Sequence, residues 1–226
     1  HASVASRWQV LTGTRIAECY GLTETAPLVS FNPLSDAARP GSIGIPVPGT
    51  DVLLVDADGK PVAEGEPGEL IVKGPQVMRG YWQRPEETAK AVQAGWFFTG
   101  DVAVMDEAGF FRIVDRKKDL VIVSGFNVYP NEVEDALAKM EAVLEAAVIG
   151  VPDPRTGEAV RAYVVKNPDF KGKITRDDVI AHCRTLLTDY KLPRQVIFRD
   201  ELPKSPVGKI LRKDLRAEAV AEAASA

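Results

Sequence analysis

From Gly41 to Arg116 the chain alternates short apolar runs (VLLV, GELIV, AVM and FFRIV) with breaks rich in glycine and proline. Runs of this length bounded by turn formers predict strands. DADGK (Asp56 to Lys60) and DEAG (Asp106 to Gly109) lie between alternating segments. In such turns aspartate caps its own backbone and glycine supplies positive φ, so each predicts a hairpin, and together they predict a small barrel or sandwich. After Asp119 the period changes. In NEVEDALAKM, Val133, Leu137 and Met140 recur at helical spacing and predict one apolar stripe. VLEAAVIGV and AVRAYVVK read as strands. TRDDVIAHCRTLL opens with Thr175 and Asp178 as a capping box, with Val179, Cys183 and Leu186 predicted to face inward. QVIFRDEL predicts a further strand, and KILRKDLRAEAVAEAA a terminal helix fading into a frayed alanine-rich tail. Ahead of all this, RIAECYG reads as a short strand entering a glycine turn.

The change of texture at DRKKD (Asp115 to Asp119) predicts a domain boundary there. Three segments result: 1–40, the tail of a larger unit; 41–117, β-rich; and 118–226, smaller and mixed. No internal repeat is visible.

Composition narrows the function classes. Across 226 residues, 28 basic and 32 acidic side chains leave a formal charge of −4, which argues against a nucleic-acid surface. With 45% hydrophobic and 27% charged residues the chain lies far from the disordered regime, so a packed core is expected. No run approaches the ~18 apolar residues of a membrane span, and the first residues lack a secretion signal, so the sequence reads as cytosolic. Cys19 and Cys183 are far apart without a CxxC partner, which disfavours a zinc site or disulfide and predicts two core thiols.

Four segments carry candidate chemistry. YGLTETAP groups the Tyr20 ring, the Thr23 hydroxyl and the Glu24 carboxylate at a strand end, where they could stack a base, bond a phosphate and hold a hard cation; a polar turn is the alternative. In GWFFTGD, Asp101 follows a Thr-Gly turn after an aromatic strand, suited to accepting both ribose hydroxyls or to nothing beyond a turn. In DRKKDLVIVSGFNVYP, the basic knot of Arg116, Lys117 and Lys118 is too short for a localisation signal or phosphate track. Arg116 could fork onto a sugar or phosphate, and Gly125 could let a slim ligand run along the main chain or simply make a turn. PKSPVGKIL is not a Walker loop, because Pro203 replaces the first glycine and no Ser or Thr follows Lys209. What remains is a lysine on a Pro/Gly-rich loop, which could reach a distant phosphate or stand as a surface charge.

YGLTE, GELIVKGPQVMRGYW, GWFFTGD, DRKKDLVIVSGFNVYPNEVE and PKSPVGK occur in this order in one chain. The order resembles the adenylate-forming enzymes: acyl-CoA synthetases, luciferases and peptide-synthetase adenylation domains. The AVMDEAGFF to NEVED and FRDELPKSPVGKILRKDLR segments are most similar to bacterial long-chain fatty acid CoA ligases. The resemblance implies a β-rich, barrel-like subdomain (41–117) followed by a small, mobile α+β lid (118–226). It implies an ATP-dependent activation of a fatty acid to an acyl-adenylate and its transfer to coenzyme A. By resemblance, Tyr20 and Gly21 border adenine, Thr23 contacts phosphate and Glu24 ligates Mg²⁺. Asp101, with Arg116, binds ribose; Lys118 is the hinge; Gly125 borders the pantetheine tunnel; Lys209 catalyses adenylation.

The Ser/Thr/Gly-rich phosphate loop expected upstream of YGLTE and the wall of the acyl pocket are missing, and the chain starts at His1. A C-terminal piece lacking the α/β core of its parent, inactive alone, is therefore expected. An aryl or short-chain acyl-CoA synthetase and a non-catalytic module that keeps the fold are the alternatives. A fatty substrate is compatible with peripheral attachment to an inner membrane, although no basic amphipathic helix is evident. Oligomeric state is not legible.

Overall fold

Turn chemistry shapes the first half of the molecule. The computed structural model describes residues 2–206 and 208–224 and divides into two compact units, His1–Lys117 and Lys118–Ala226. In the first, Asp56 Oδ1 accepts the Asp58 and Lys60 amides and Gly59 takes φ +76°. Asp106 Oδ1 repeats this with Ala108 and Phe110 around Gly109 at φ +79°. Both predicted turns are present, each with its aspartate closing it.

The first unit contains α1 (Ala2–Thr12), β1 (Cys19–Gly21), β2 (Leu28–Phe31), β3 (Ile45–Pro46), β4 (Asp51–Val55), β5 (Gly68–Lys73), α2 (Pro85–Ala91), β6 (Val92–Gln93), β7 (Trp96–Met105) and β8 (Phe111–Arg116). Antiparallel strands form a sheet in the order β4-β5-β7-β6, with β8 on β7, and a smaller sheet β1-β2-β3. Val29 of β2 packs with Leu54, Leu70, Val72, Ala103 and Phe111 of the larger sheet. The Gly44–Phe111 bridge joins the two, giving a barrel-like curl around one core. Residues 19–46 thus share a core with the β-rich segment.

Three expectations need correction here. Thr99-Gly100 is no turn between strands: β7 runs unbroken from Trp96 to Met105, and Gly100, at φ +72°, lets it bulge rather than reverse. Cys19 is exposed at the end of β1 and is not a core thiol. The helices α1 and α2 were not anticipated. In α2, Pro85 at the first position, Glu86 and Glu87 in the first turn and Lys90 in the last follow ordinary capping and dipole preferences.

The second unit contains β9 (Val121–Val123), β10 (Phe126–Val128), α3 (Pro130–Ala138), β11 (Val143–Asp153), β12 (Gly157–Lys166), α4 (Arg176–Arg184), β13 (Gln195–Arg199) and α5 (Arg212–Ala224). The sheet runs β10-β9-β12-β11, with β13 parallel to β12. Period-two alternation sends Val160, Ala162 and Val164 into one core with Val133 and Leu137 of α3 and Val179 and Cys183 of α4. Ala159, Tyr163 and Val165 enter another with Leu215 and Ala219 of α5. Both faces of β12 are covered, which explains its nearly continuous apolar run.

Thr175 caps α4 as expected, accepting from Asp178 N at 3.3 Å. Leu186 is exposed, against expectation, because α4 ends at Arg184 and Leu187 packs on the core instead. The terminal helix begins at Arg212 rather than Lys209, since Lys204 and Ile210 pair as a β-bridge. The frayed tail falls partly on Ser225 and Ala226, outside the described residues.

Candidate active site

Register places Asp101 of β7 directly opposite Arg116 of β8. Arg116 Nε lies 3.4 Å from Asp101 Oδ1, and the Tyr20 phenol donates to Oδ2 at 2.5 Å. Asp101 itself is buried, and its amide donates to Thr99 Oγ1, whose hydroxyl donates in turn to the Leu70 carbonyl. Burial, then the hydrogen bond to Asp101, pushes the Tyr20 phenol far above its ordinary range, so it remains a donor throughout physiological pH. Residues far apart in sequence thus converge on one carboxylate. Each of its oxygens has more than one lone pair, so the cluster keeps capacity to accept from a diol.

The segment after Tyr20 is shaped by close backbone approach. A Cβ at Gly21 would lie 1.6 Å from the Pro27 carbonyl oxygen, which accounts for the glycine. Thr23–Thr25 then form one 3₁₀ turn, held by the buried Thr25 hydroxyl accepting from the Leu22 amide. Ala26 leaves it at φ +46°. Thr23 is exposed on the outer side of this turn, and Glu24 is half-buried. The Glu24 carbonyl accepts from the Met78 amide, and its Oε1 accepts from the Tyr81 phenol at 2.9 Å. Burial and that carboxylate raise the Tyr81 pKa as well.

An open depression of about 560 Å³ lies beside both clusters, with Tyr81, the partner of Glu24, and Gly100, the neighbour of Asp101, in its lining. Glu69 also lines it; this carboxylate accepts the Gly100 amide at 3.2 Å and Lys117 Nζ at 2.7 Å. No group of three or more His, Cys, Asp or Glu suited to a metal occurs among the described residues. Glu24 contributes a carboxylate, the donor type that a hard cation such as Mg²⁺ takes beside phosphate and water oxygens.

The remaining candidates belong to the second unit. Lys118 is its first residue and is exposed. Gly125, at φ +84°, follows Ser124 at φ +51° in the two-residue turn between β9 and β10. These angles are those of a type I′ hairpin turn, which favours glycine at the second position. A Cβ there would meet nothing within 4 Å, so conformation rather than crowding accounts for this glycine. Lys209 is exposed on a small hairpin: Ser205 N donates to its carbonyl and Lys209 N donates to Ser205 Oγ. Among the described residues no group pairs with its ammonium.

The model of the AMP-binding enzyme family matches residues 1–82, and that of its C-terminal domain matches residues 132–209. The chain belongs to the AMP-binding enzyme family. A long-chain-fatty-acid–CoA ligase of Yersinia pestis is 58% identical over 96% of this chain and 38% of its own length. A feruloyl-CoA synthase of an Amycolatopsis species is 46% identical over 95% of this chain and 43% of its own. The crystal structure of ATP-bound MatB from Rhodopseudomonas palustris superposes with a TM-score of 0.90 at 39% identity, covering 96% of this chain and 43% of that one. The chain thus spans well under half the length of the curated relatives it matches.

Sequence reasoning missed Thr99, Glu69 and Tyr81, which build these clusters in the first unit, and Asp119, Glu134 and Arg212 in the second, where Arg212 donates to both carboxylates. Tyr81 stands in the GYW segment and Asp119 ends DRKKD, but each acts through a partner more than fifty residues away. Local pattern carries no sign of such pairings.

Proposed function

We propose that this chain supplies the late part of the nucleotide site and the lid of an ATP-dependent long-chain fatty acid–CoA ligase. The observation that carries the reading is the convergence of Tyr20 and Arg116 on the buried carboxylate of Asp101. In this reading Asp101 accepts the ribose hydroxyls of ATP, with Arg116 beside it; Tyr20 and Gly21 border the adenine; Thr23 donates to phosphate. Glu24 would hold Mg²⁺, which when bound supplies positive charge to the phosphate oxygens.

In the first half-reaction a carboxylate oxygen of the fatty acid attacks the α-phosphorus, forming one P–O bond while the bond to the β-phosphate oxygen breaks and pyrophosphate leaves. Negative charge grows on the phosphoryl oxygens, and the Lys209 ammonium, carried on its hairpin, stabilises it. In the second half-reaction the sulfur of coenzyme A attacks the acyl carbon, its proton leaves, and the C–O bond to AMP breaks. Here the new charge develops first on the acyl carbonyl oxygen, away from the α-phosphoryl oxygens that Lys209 serves in the first step. Rotation of the second unit about Lys118 would withdraw it and present the Gly125 turn to the pantetheine arm.

The names of the relatives support the acyl class unequally. The fatty-acid ligase is the more similar, but the feruloyl-CoA synthase keeps an aryl substrate as the second reading. Among the described residues no helix is long and apolar enough to cross a membrane. The test is thioester formation by the full-length enzyme with palmitate, acetate, benzoate and ferulate in parallel. Palmitate should give the highest kcat/KM. A preference for ferulate or benzoate would replace the fatty-acid reading, and turnover of none would leave a non-catalytic module.

A further inference from the structure

A polar cluster in the second unit surrounds Arg212, at the start of α5. A cation there faces the positive end of the helix dipole, an unfavourable place that calls for offsetting carboxylates. They are present. Arg212 Nε and Nη2 fork onto the two oxygens of Glu134 at 3.0 and 2.7 Å. Its Nη1 donates to Asp119 Oδ2 at 3.3 Å, and Nη2 also reaches Asn131 Oδ1 at 2.5 Å. One turn on, Arg216 donates to Asp119 Oδ1 at 2.7 Å. The side chains of Asp119 and Glu134 are 7% and 14% exposed, and Glu134 Oε1 also accepts the Val148 amide. One guanidinium therefore ties together the residue after Lys118, the start of α3 and the start of α5.

Between Arg212 and Lys209 there is little slack. Leu211 N donates to the Pro203 carbonyl, Ile210 bridges Lys204, and Lys204 Nζ is fixed to Glu145 of β11 at 2.7 Å. The hairpin bearing Lys209 is thus pinned at one foot by Lys204 and at the other by Arg212.

We infer that Arg212 is a positioning residue that clamps α5 to Asp119, Asn131 and Glu134 so that the Lys209 hairpin moves rigidly with the segment that begins at Lys118. The inference rests on the proposed role of Lys209. Stability alone is a poor reason for such a cluster, since well-packed apolar residues commonly do as well as a buried ion pair. A planar fork fixes direction, which a lysine in its place would not. Direction matters because a misplacement of about 1 Å can cost on the order of 100-fold in rate.

The test uses the full-length enzyme with Arg212→Lys and, separately, Glu134→Gln. Pyrophosphate release from fatty acid and ATP is measured beside thioester formation from supplied acyl-adenylate and coenzyme A, with Tm as the fold control. Arg212→Lys should lower kcat of the first half-reaction about 10- to 100-fold and leave the second within roughly two-fold. Glu134→Gln should follow in the same direction, and decides the question alone if the lysine variant does not fold. Equal loss in both half-reactions, or no loss in either, overturns the clamp. Lys209→Met run alongside separates the two failures: if it retains adenylation, the reading of Lys209 is wrong. If it loses adenylation while Arg212→Lys and Glu134→Gln do not, only the clamp is refuted.

Discussion

The two charged centres of this molecule are built in opposite ways. Asp101 is sunk in a sheet, opposed by Arg116 in register and bonded by Tyr20 from another strand. Lys209 is exposed on a hairpin whose feet are held. A group that binds a substrate in place gains from being fixed before the substrate arrives. A group that must arrive and leave needs a rigid carrier and a free end. In the proposed function, the difference between the units is one between a prepared receptor and a delivered charge.

The glycines sharpen this contrast with the largest expected effect. Gly21→Ala forces a Cβ onto the Pro27 carbonyl oxygen, backbone against backbone, and should destabilise the first unit by about 3 kcal/mol or more. Gly125→Ala meets open space and carries only left-handed strain, about 1 to 2 kcal/mol. Denaturant melts of the two variants check the order; equal losses would show that Gly21 is not packed as described.

A smaller effect is expected from Tyr20→Phe, which removes the phenol donor but keeps the ring. Loss of a hydrogen bond to a carboxylate should cost about 1.5 to 3 kcal/mol and raise KM for ATP more than it lowers kcat. Unchanged nucleotide affinity would detach Tyr20 from the site.

The thiols distinguish surface from core most gently. Cys19 should react with an aromatic disulfide within the native state, and Cys183 only on unfolding. Burial pushes the Cys183 thiol up to about 11, so the folded state holds its proton more tightly than the unfolded chain. Its contribution to stability is fully present below the ordinary thiol range and is lost as pH rises through about 11. Cys183→Ala should flatten that alkaline loss, monitored by Tm against pH; an unchanged slope would assign the loss to other groups.

Much of the architecture was legible because it is written in local chemistry. DADGK and DEAG each carry their own turn, Thr175 and Asp178 cap a helix within one turn, and the short apolar run AVRAYVVK reads as a strand. Failures arose where a local signal was overruled by pairing. Thr99-Gly100 has turn composition but stays within β7, where strands on either side hold it. Leu186 keeps the helical period beyond the residue at which α4 ends. For the candidate site, the sequence offered residue types and no contacts. Nothing near Tyr20 announces Asp101, and nothing near Asp119 announces Arg212, because each partner lies more than eighty residues away.

The central claim, that the exposed ammonium of Lys209 serves adenylation alone, is met most directly by comparing both half-reactions in full-length Lys209→Met. Pyrophosphate release should fall about 100- to 1,000-fold while thioester formation from supplied acyl-adenylate stays close to that of the unaltered enzyme. Equal loss of both half-reactions, or full retention of the first, would contradict it.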